Sequence, residues 1–172
     1  MKTLLTSALL LLLLVQTFSQ SVCIDSIKIN DVLSRRIKFK QFNEAGIQID
    51  SIISNRTIDN YDPDSLIYVG SSLFWYYSKS NISEARLIMF DKIKSLSLGK
   101  FSINKSTSFE DLKKMFPIDC TSTKPIKVYR QKETFQTCSI PVRDLKGQVW
   151  DMRIVFILKD NKIYRVDFWE PM

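Results

Sequence analysis

The sequence predicts an α+β domain: a twisted antiparallel sheet with one or two short helices packed on one face. Three observations carry that expectation. In the C-terminal run Gln148–Pro171, two β-branched and aromatic segments, Trp150–Leu158 and Ile163–Trp169, flank Lys159-Asp160-Asn161-Lys162. Asp and Asn tolerate the left-handed backbone of a tight reversal, so this is a β-hairpin. The stretch Thr107-Ser108-Phe109-Glu110 has the form of a capping box, which satisfies orphan amides at a helix start. Four glycines against 11 Phe and 6 Tyr favour sheet with moderately long connections.

The first residues are not expected to join the fold. Met1-Lys2 and the apolar run Leu4–Val15 form a positive start and a core too short to span a membrane. Thr17 and Ser19 supply small residues for a cut before Gln20. Residues 1–19 therefore read as a secretory signal peptide, and 20–172 as one secreted or periplasmic domain. Losing Lys2 takes the formal net charge from +7 to +6.

Along the remaining chain, Val22–Asn30 alternates loosely and predicts a first strand. Arg35–Phe42 with Asn43-Glu44-Ala45-Gly46 predicts a helix stopped at Gly46. Ile47–Ile53 reads as a short edge strand, and Ser54–Ser65 as a loop turning at Asp62-Pro63-Asp64. Leu66–Tyr77 resumes as strand around a turn at Gly70-Ser71-Ser72, Ala85–Ile93 makes another, and Phe101-Ser102-Ile103-Asn104 opens the second half. After the capping box, Phe109, Leu112, Met115 and Phe116 make one apolar stripe that Pro117 ends. Ile126–Gln131, Phe135–Val142 and the hairpin follow. Ile154–Leu158 is apolar without a break, which places the hairpin inside the sheet. Lys28-Ile29-Asn30 and Ser102-Ile103-Asn104 each precede a predicted helix, with Phe42 and Phe116 equally spaced from them. That spacing raises a degenerate tandem repeat with halves 20–99 and 100–172.

The arrangement of strand, short helix and antiparallel strands, given twice, resembles the β-lactamase-inhibitor-protein-like fold. The segments INKSTSFEDLKKMFP (Ile103–Pro117) and VWDMRIVFILKDNKIYRVDFWEP (Val149–Pro171) resemble a group of small secreted bacterial proteins. The resemblance implies a fold and carries no activity.

Of the cysteines Cys23, Cys120 and Cys138, the expected disulfide is Cys120–Cys138, stapling the polar connection between them. Cys23 lacks the small preceding residue and the upstream Leu of a lipidation signal, so lipid anchoring is not expected. The sequence contains no histidine. That excludes Ser-His-Asp and Cys-His catalysis and His-based metal sites. No cofactor is expected.

Four features of the sequence bear on chemistry. Ser97/Lys100 and Ser102/Lys105 have the spacing of serine acylases but lie in predicted loop and strand. Asn60, Asp62 and Asp64 imitate a calcium loop, yet Ser65 and Ser71 stand where Gly and Glu are needed. A solvated turn accounts for them better. Asp151, Asp167 and Glu170 interleave with Arg153 and Arg165, which favours charge pairing over acid/base catalysis. Asn55, Asn81 and Asn104 are glycosylation sequons.

The remaining candidates are binding residues. Phe74-Trp75-Tyr76-Tyr77 alternates, so one pair faces outward and suits stacking or partner anchoring. Arg35, Arg36, Lys38 and Lys40 make a basic patch that would steer an acidic partner. The sequence thus predicts an inhibitor-like interaction module with an unidentified protein partner. A carbohydrate or cell-wall binder using Trp75 and Tyr77 is the alternative, and a cofactor-free hydrolase the third reading. Nucleic acid is not an expected partner, and no transmembrane segment is expected after the leader.

Overall fold

The computed structural model describes residues 21–55, 62–128 and 131–171; the segment predicted as a leader and Asn60 lie outside them. In chain order, the first half holds β1 (Val22–Cys23), β2 (Ile27–Ile29), β3 (Leu33–Ser34), β4 (Arg36–Lys38), helix α1 (Gln41–Glu44), β5 (Ser51–Ser54), β6 (Ser65–Val69), β7 (Ser72–Tyr77) and β8 (Ile82–Ile88). β9 (Leu96–Leu98), β10 (Phe101–Ile103), helix α2 (Phe109–Met115), β11 (Lys124–Lys127), β12 (Thr134–Arg143), β13 (Val149–Lys159) and β14 (Lys162–Trp169) complete it. A 3-10 turn, Ile24–Ser26, separates β1 from β2.

The predicted hairpin forms and is interior. β13 and β14 pair antiparallel, and Asp160 and Asn161 turn the chain at φ 51° and 61°, the left-handed conformation that a two-residue reversal requires. β12 flanks the hairpin on one side and β8 on the other. The large sheet runs β5-β6-β7-β8-β14-β13-β12, so the last strands of two antiparallel meanders meet in the middle. They meet briefly, through Val166↔Ile88 and Asp167↔Leu87. Further along the same edge of β8, β4 takes the place of β14, with Arg36↔Glu84, Ile37↔Ser83 and Lys38↔Ile82. β11 and β1 share the outer edge of β12, β1 in parallel, which makes the sheet mixed. A second, four-stranded sheet has the order β10-β9-β2-β3.

Side-chain alternation divides the large sheet into two faces. Phe74, Ala85, Ile88, Val166, Phe156 and Ile140 share one face by register and are fully buried. Both helices pack there. Phe42 of α1 meets the Phe74 ring edge-on at 5.0 Å, and Phe116 behind α2 stacks on Phe156 at 5.9 Å. Ile27, Ile29, Leu96 and Leu98 of the small sheet complete the same core.

Several sequence expectations are corrected. Val22–Asn30 is not one strand: the 3-10 turn sends β1 to the large sheet and β2 to the small one. Arg35–Phe42 is not helical at its start. Ile37 is buried while Arg36 and Lys38 are exposed, so this segment has the period of a strand on the edge of β8. Only Gln41–Glu44 is helix, followed by Gly46 at φ 66°. β9 is a strand that the sequence does not predict, and β8 begins three residues before the predicted Ala85.

The capping box is shifted by one residue. Ser108 is the N-cap: its hydroxyl accepts the Asp111 N–H at 3.2 Å, and the Asp111 carboxylate accepts the Ser108 N–H at 2.9 Å. The Thr107 hydroxyl is already used, accepting from the Asn104 N–H at 3.0 Å. Hydrogen bonds from the Ser108 hydroxyl and N–H hold the Asp111 carboxyl below its ordinary range. Its help to the helix is therefore present above the ordinary carboxyl pKa and lost as pH falls through the lowered value. Ser108→Ala is expected to cost about 1 kcal/mol in urea unfolding; an unchanged midpoint would show that α2 does not depend on its cap.

Cys120 and Cys138 form the expected disulfide, with Cα atoms 5.4 Å apart at a sequence separation of 18. It ties the segment after α2 to β12. Closing a loop of this order restricts the unfolded chain by about 3 kcal/mol. A C120S/C138S variant is expected to unfold at correspondingly lower urea; equal midpoints would deny the bridge its stabilising role. Cys23 is free. Among the described residues, no helix is long and apolar enough to cross a membrane.

Candidate binding cleft

The exchange of β14 for β4 along β8 opens a seam in the large sheet. Arg35, just before β4, sits in that seam with only 3% of its side chain exposed. Its guanidinium lies over the Phe168 ring at 5.7 Å and donates from Nη1 to Glu84 Oε1 at 2.7 Å. Glu170, immediately after β14, approaches the same nitrogen at 3.6 Å. Arg36 Nε reaches the other oxygen of Glu84 at 3.2 Å, and Arg86 Nη1 bridges Glu84 and Glu170 at 3.5 and 3.3 Å. Two carboxylates thus hold three guanidinium groups, joining the first half of the chain to its last residues.

Burial lowers the Arg35 pKa, against the opposing pull of Glu84 and Glu170. The guanidinium remains charged, because arginine keeps its proton in proteins. Above this floor lies an open cleft of about 850 Å³ whose walls include Tyr77, Trp150, Met152 and Glu170. Burial, then the nearby Glu84 carboxylate, raises the Tyr77 pKa, so its hydroxyl stays a neutral donor. Trp150 is 40% exposed.

The sequence candidates separate. Alternation holds: Phe74 and Tyr76 turn to the core face, Trp75 and Tyr77 to the other. Phe74 is fully enclosed and Tyr76 packs on Phe39 at 5.4 Å, so neither stands on an accessible stacking surface. Trp75 is half-buried, and Arg86 covers one face of its ring at 4.0 Å. Tyr77 reaches the cleft. The basic patch divides too: Arg35 is buried, Arg36 lines the cleft with 55% of its side chain exposed, and Lys38 is solvated. Lys40 is exposed and paired with Glu44 at 3.2 Å.

The other features are structural. Ser97, on β9, donates its hydroxyl to Asp31, and Lys100 lies over the Phe101 ring, so the first Ser-x-x-Lys pair occupies a strand and turn rather than a helix. Ser102 lies on β10. The Asp64 carboxylate accepts the Ser78 N–H and hydroxyl at 2.6 and 3.0 Å, which hold it below the ordinary carboxyl range. Among the described residues, no group of His, Cys, Asp and Glu is placed to hold a metal. Burial raises the Asp167 pKa against Arg165, whose Nη2 donates to it at 2.6 Å. Asp167 and Glu170 are therefore each engaged by arginine, while Asp151 lines the cleft.

Sequence reasoning missed Glu84, Arg86, Glu170 and Trp150 as parts of one site. A signal was present: Glu84 and Arg86 are charged residues two apart in an apolar segment, where strand alternation puts them together. Starting the strand at Ala85 hid it.

No known protein family, curated protein or solved structure matches the chain.

Proposed function

We propose that the protein is a secreted or periplasmic binding module, inhibitor-like in the sense of acting by occupying a partner, with the seam cleft as its contact site. The observation that carries this reading is the cleft itself. A preorganised charged floor lies beside Tyr77 and a half-exposed Trp150, an arrangement of aromatic anchors and arginine that protein interfaces favour. Arg36 and Lys79, which both line the cleft, supply the basic rim that would draw in an acidic surface. Catalysis is less well supported. Of the three carboxyls that line the cleft, Glu84 and Glu170 are committed to guanidinium groups, which leaves Asp151 without the second free carboxyl that an acid/base pair needs.

We read the mirrored strand order as two degenerate repeats, with halves 20–99 and 100–172. The disulfide supports an oxidising compartment. Tyr77 and Trp150, both lining the cleft, favour a carbohydrate binder as the second reading.

The test is capture from the host's envelope and secreted fractions on immobilised protein, at low and high salt, with partners identified by mass spectrometry. One saturable protein partner, released by salt and lost with Trp150→Ala, is the expected result. Retention on glycans that is insensitive to salt selects the carbohydrate reading. Capture unchanged by Trp150→Ala removes the cleft from the account.

A further inference from the structure

We propose that the seam cleft receives an extended segment of a partner protein and holds one of its carboxylates on Arg35 and Arg36. This rests on the binding reading above and names the chemistry that the cleft selects.

The first argument is an accounting of donors and acceptors. Each of the three guanidinium groups carries several N–H donors in a fixed fork. The carboxylates facing them have every oxygen engaged. Glu84 Oε1 meets Arg35 and Arg86, Glu84 Oε2 meets Arg36, Glu170 Oε1 meets Arg35, and Glu170 Oε2 meets Arg86. Nε of Arg35 is buried without a partner. The floor is rich in donors and short of acceptors.

Charge points the same way. Within the ion-paired network, Arg35, Arg36 and Arg86 stand against Glu84 and Glu170, three positive groups to two negative, an excess of one. An anionic acceptor corrects both shortages at once. A carboxylate suits it best, since its planar pair of oxygens matches a guanidinium edge.

The cleft wall favours a polypeptide as the carrier. The register of β13 with β14 ends at Arg153↔Trp169, so Val149–Met152 runs on beside the cleft with no further β14 pairs. An extended main chain lies along such a strand, where a sugar ring does not. Val149 is 52% exposed next to Trp150, giving an apolar wall for the side chain adjoining the carboxylate.

The experiment uses two defined probes, acetyl-Ser-Leu-Glu-Leu-Ser-amide and its Gln counterpart, titrated into the isotopically labelled protein. Arginine Nε–H resonances report the site. The Glu peptide is expected to bind roughly tenfold more tightly than the Gln peptide. The Arg35 Nε–H resonance should move, and the preference should shrink with added salt. Arg36→Gln, at a half-exposed position that the fold tolerates, should bring the two affinities together while circular dichroism stays unchanged. Equal affinities in the parent protein, no binding of either peptide up to about 1 mM, or a preference that survives Arg36→Gln would each overturn the proposal. So would an oligogalacturonate that binds the cleft when the Glu peptide does not, which transfers the site to anionic glycans. A partner captured through Trp150 but indifferent to Arg36→Gln sinks the carboxylate inference alone and leaves the binding module standing.

Discussion

Glu84→Gln is expected to destabilise the protein by about 3–5 kcal/mol, the effect of breaking a buried ion pair from one side. Arg35 would then keep only Glu170, at 3.6 Å, while remaining 3% exposed. A buried guanidinium cannot escape by losing its proton, so the desolvation cost falls on the fold. Arg86 and Arg36 would lose a partner as well, but both reach solvent and suffer less. At this chain length the loss corresponds to roughly a 10 °C fall in melting temperature. Urea unfolding of Glu84→Gln beside Arg35→Met/Glu84→Gln separates the terms. The double variant removes the stranded charge and should recover a large part of the loss. If Glu84→Gln lies within about 1 kcal/mol of the parent, the network behaves as a solvated surface pair, and the seam does not hold the halves together.

The second large effect is Phe116→Ala, expected to cost about 3–5 kcal/mol. Phe116 caps the C-terminal end of α2 and is 1% exposed. Its ring meets Phe101 of the small sheet edge-on at 5.2 Å and stacks on Phe156 of β13 at 5.9 Å. One side chain therefore joins a helix to both sheets, and neighbours fixed in three elements cannot close over the void it leaves. Phe109→Ala is the control. Phe109 lies on the same helix stripe but is only partly buried, so its loss should be smaller. Thermal unfolding of both variants decides the matter. Equal losses would mean that the stripe acts by helix formation and not through this junction.

Much of the fold was legible because it is local. The Asp160-Asn161 reversal, the alternation in Phe74–Tyr77, the stripe of α2 and its stop at Pro117 each depend on residues within a few positions of one another. Where two local readings competed, the chain alone did not choose. Thr107 and Ser108 both offer a cap hydroxyl, and the choice of Ser108 depends on the Thr107 hydroxyl being taken by the Asn104 N–H. Arg35–Phe42 has helix-compatible residues, but β8 offers a strand edge whose hydrogen bonds outweigh that preference.

By itself the sequence determined the α+β class, the interior hairpin, and which of the four consecutive aromatic residues share a side. These follow from period and turn chemistry. Three cysteines allow three pairings, and the structure selects Cys120–Cys138, the one expected to staple the polar connection between them. Only the tertiary structure decided the cleft. Arg35, Glu84 and Glu170 are far apart in the chain, and nothing local to any of them selects the others. They converge because β8 pairs with β14 for two residues and then with β4, and a sheet that changes partners along one strand must leave a seam. Charges enter that seam because they can satisfy one another there, a condition set by neighbours in space that no periodicity along the chain encodes.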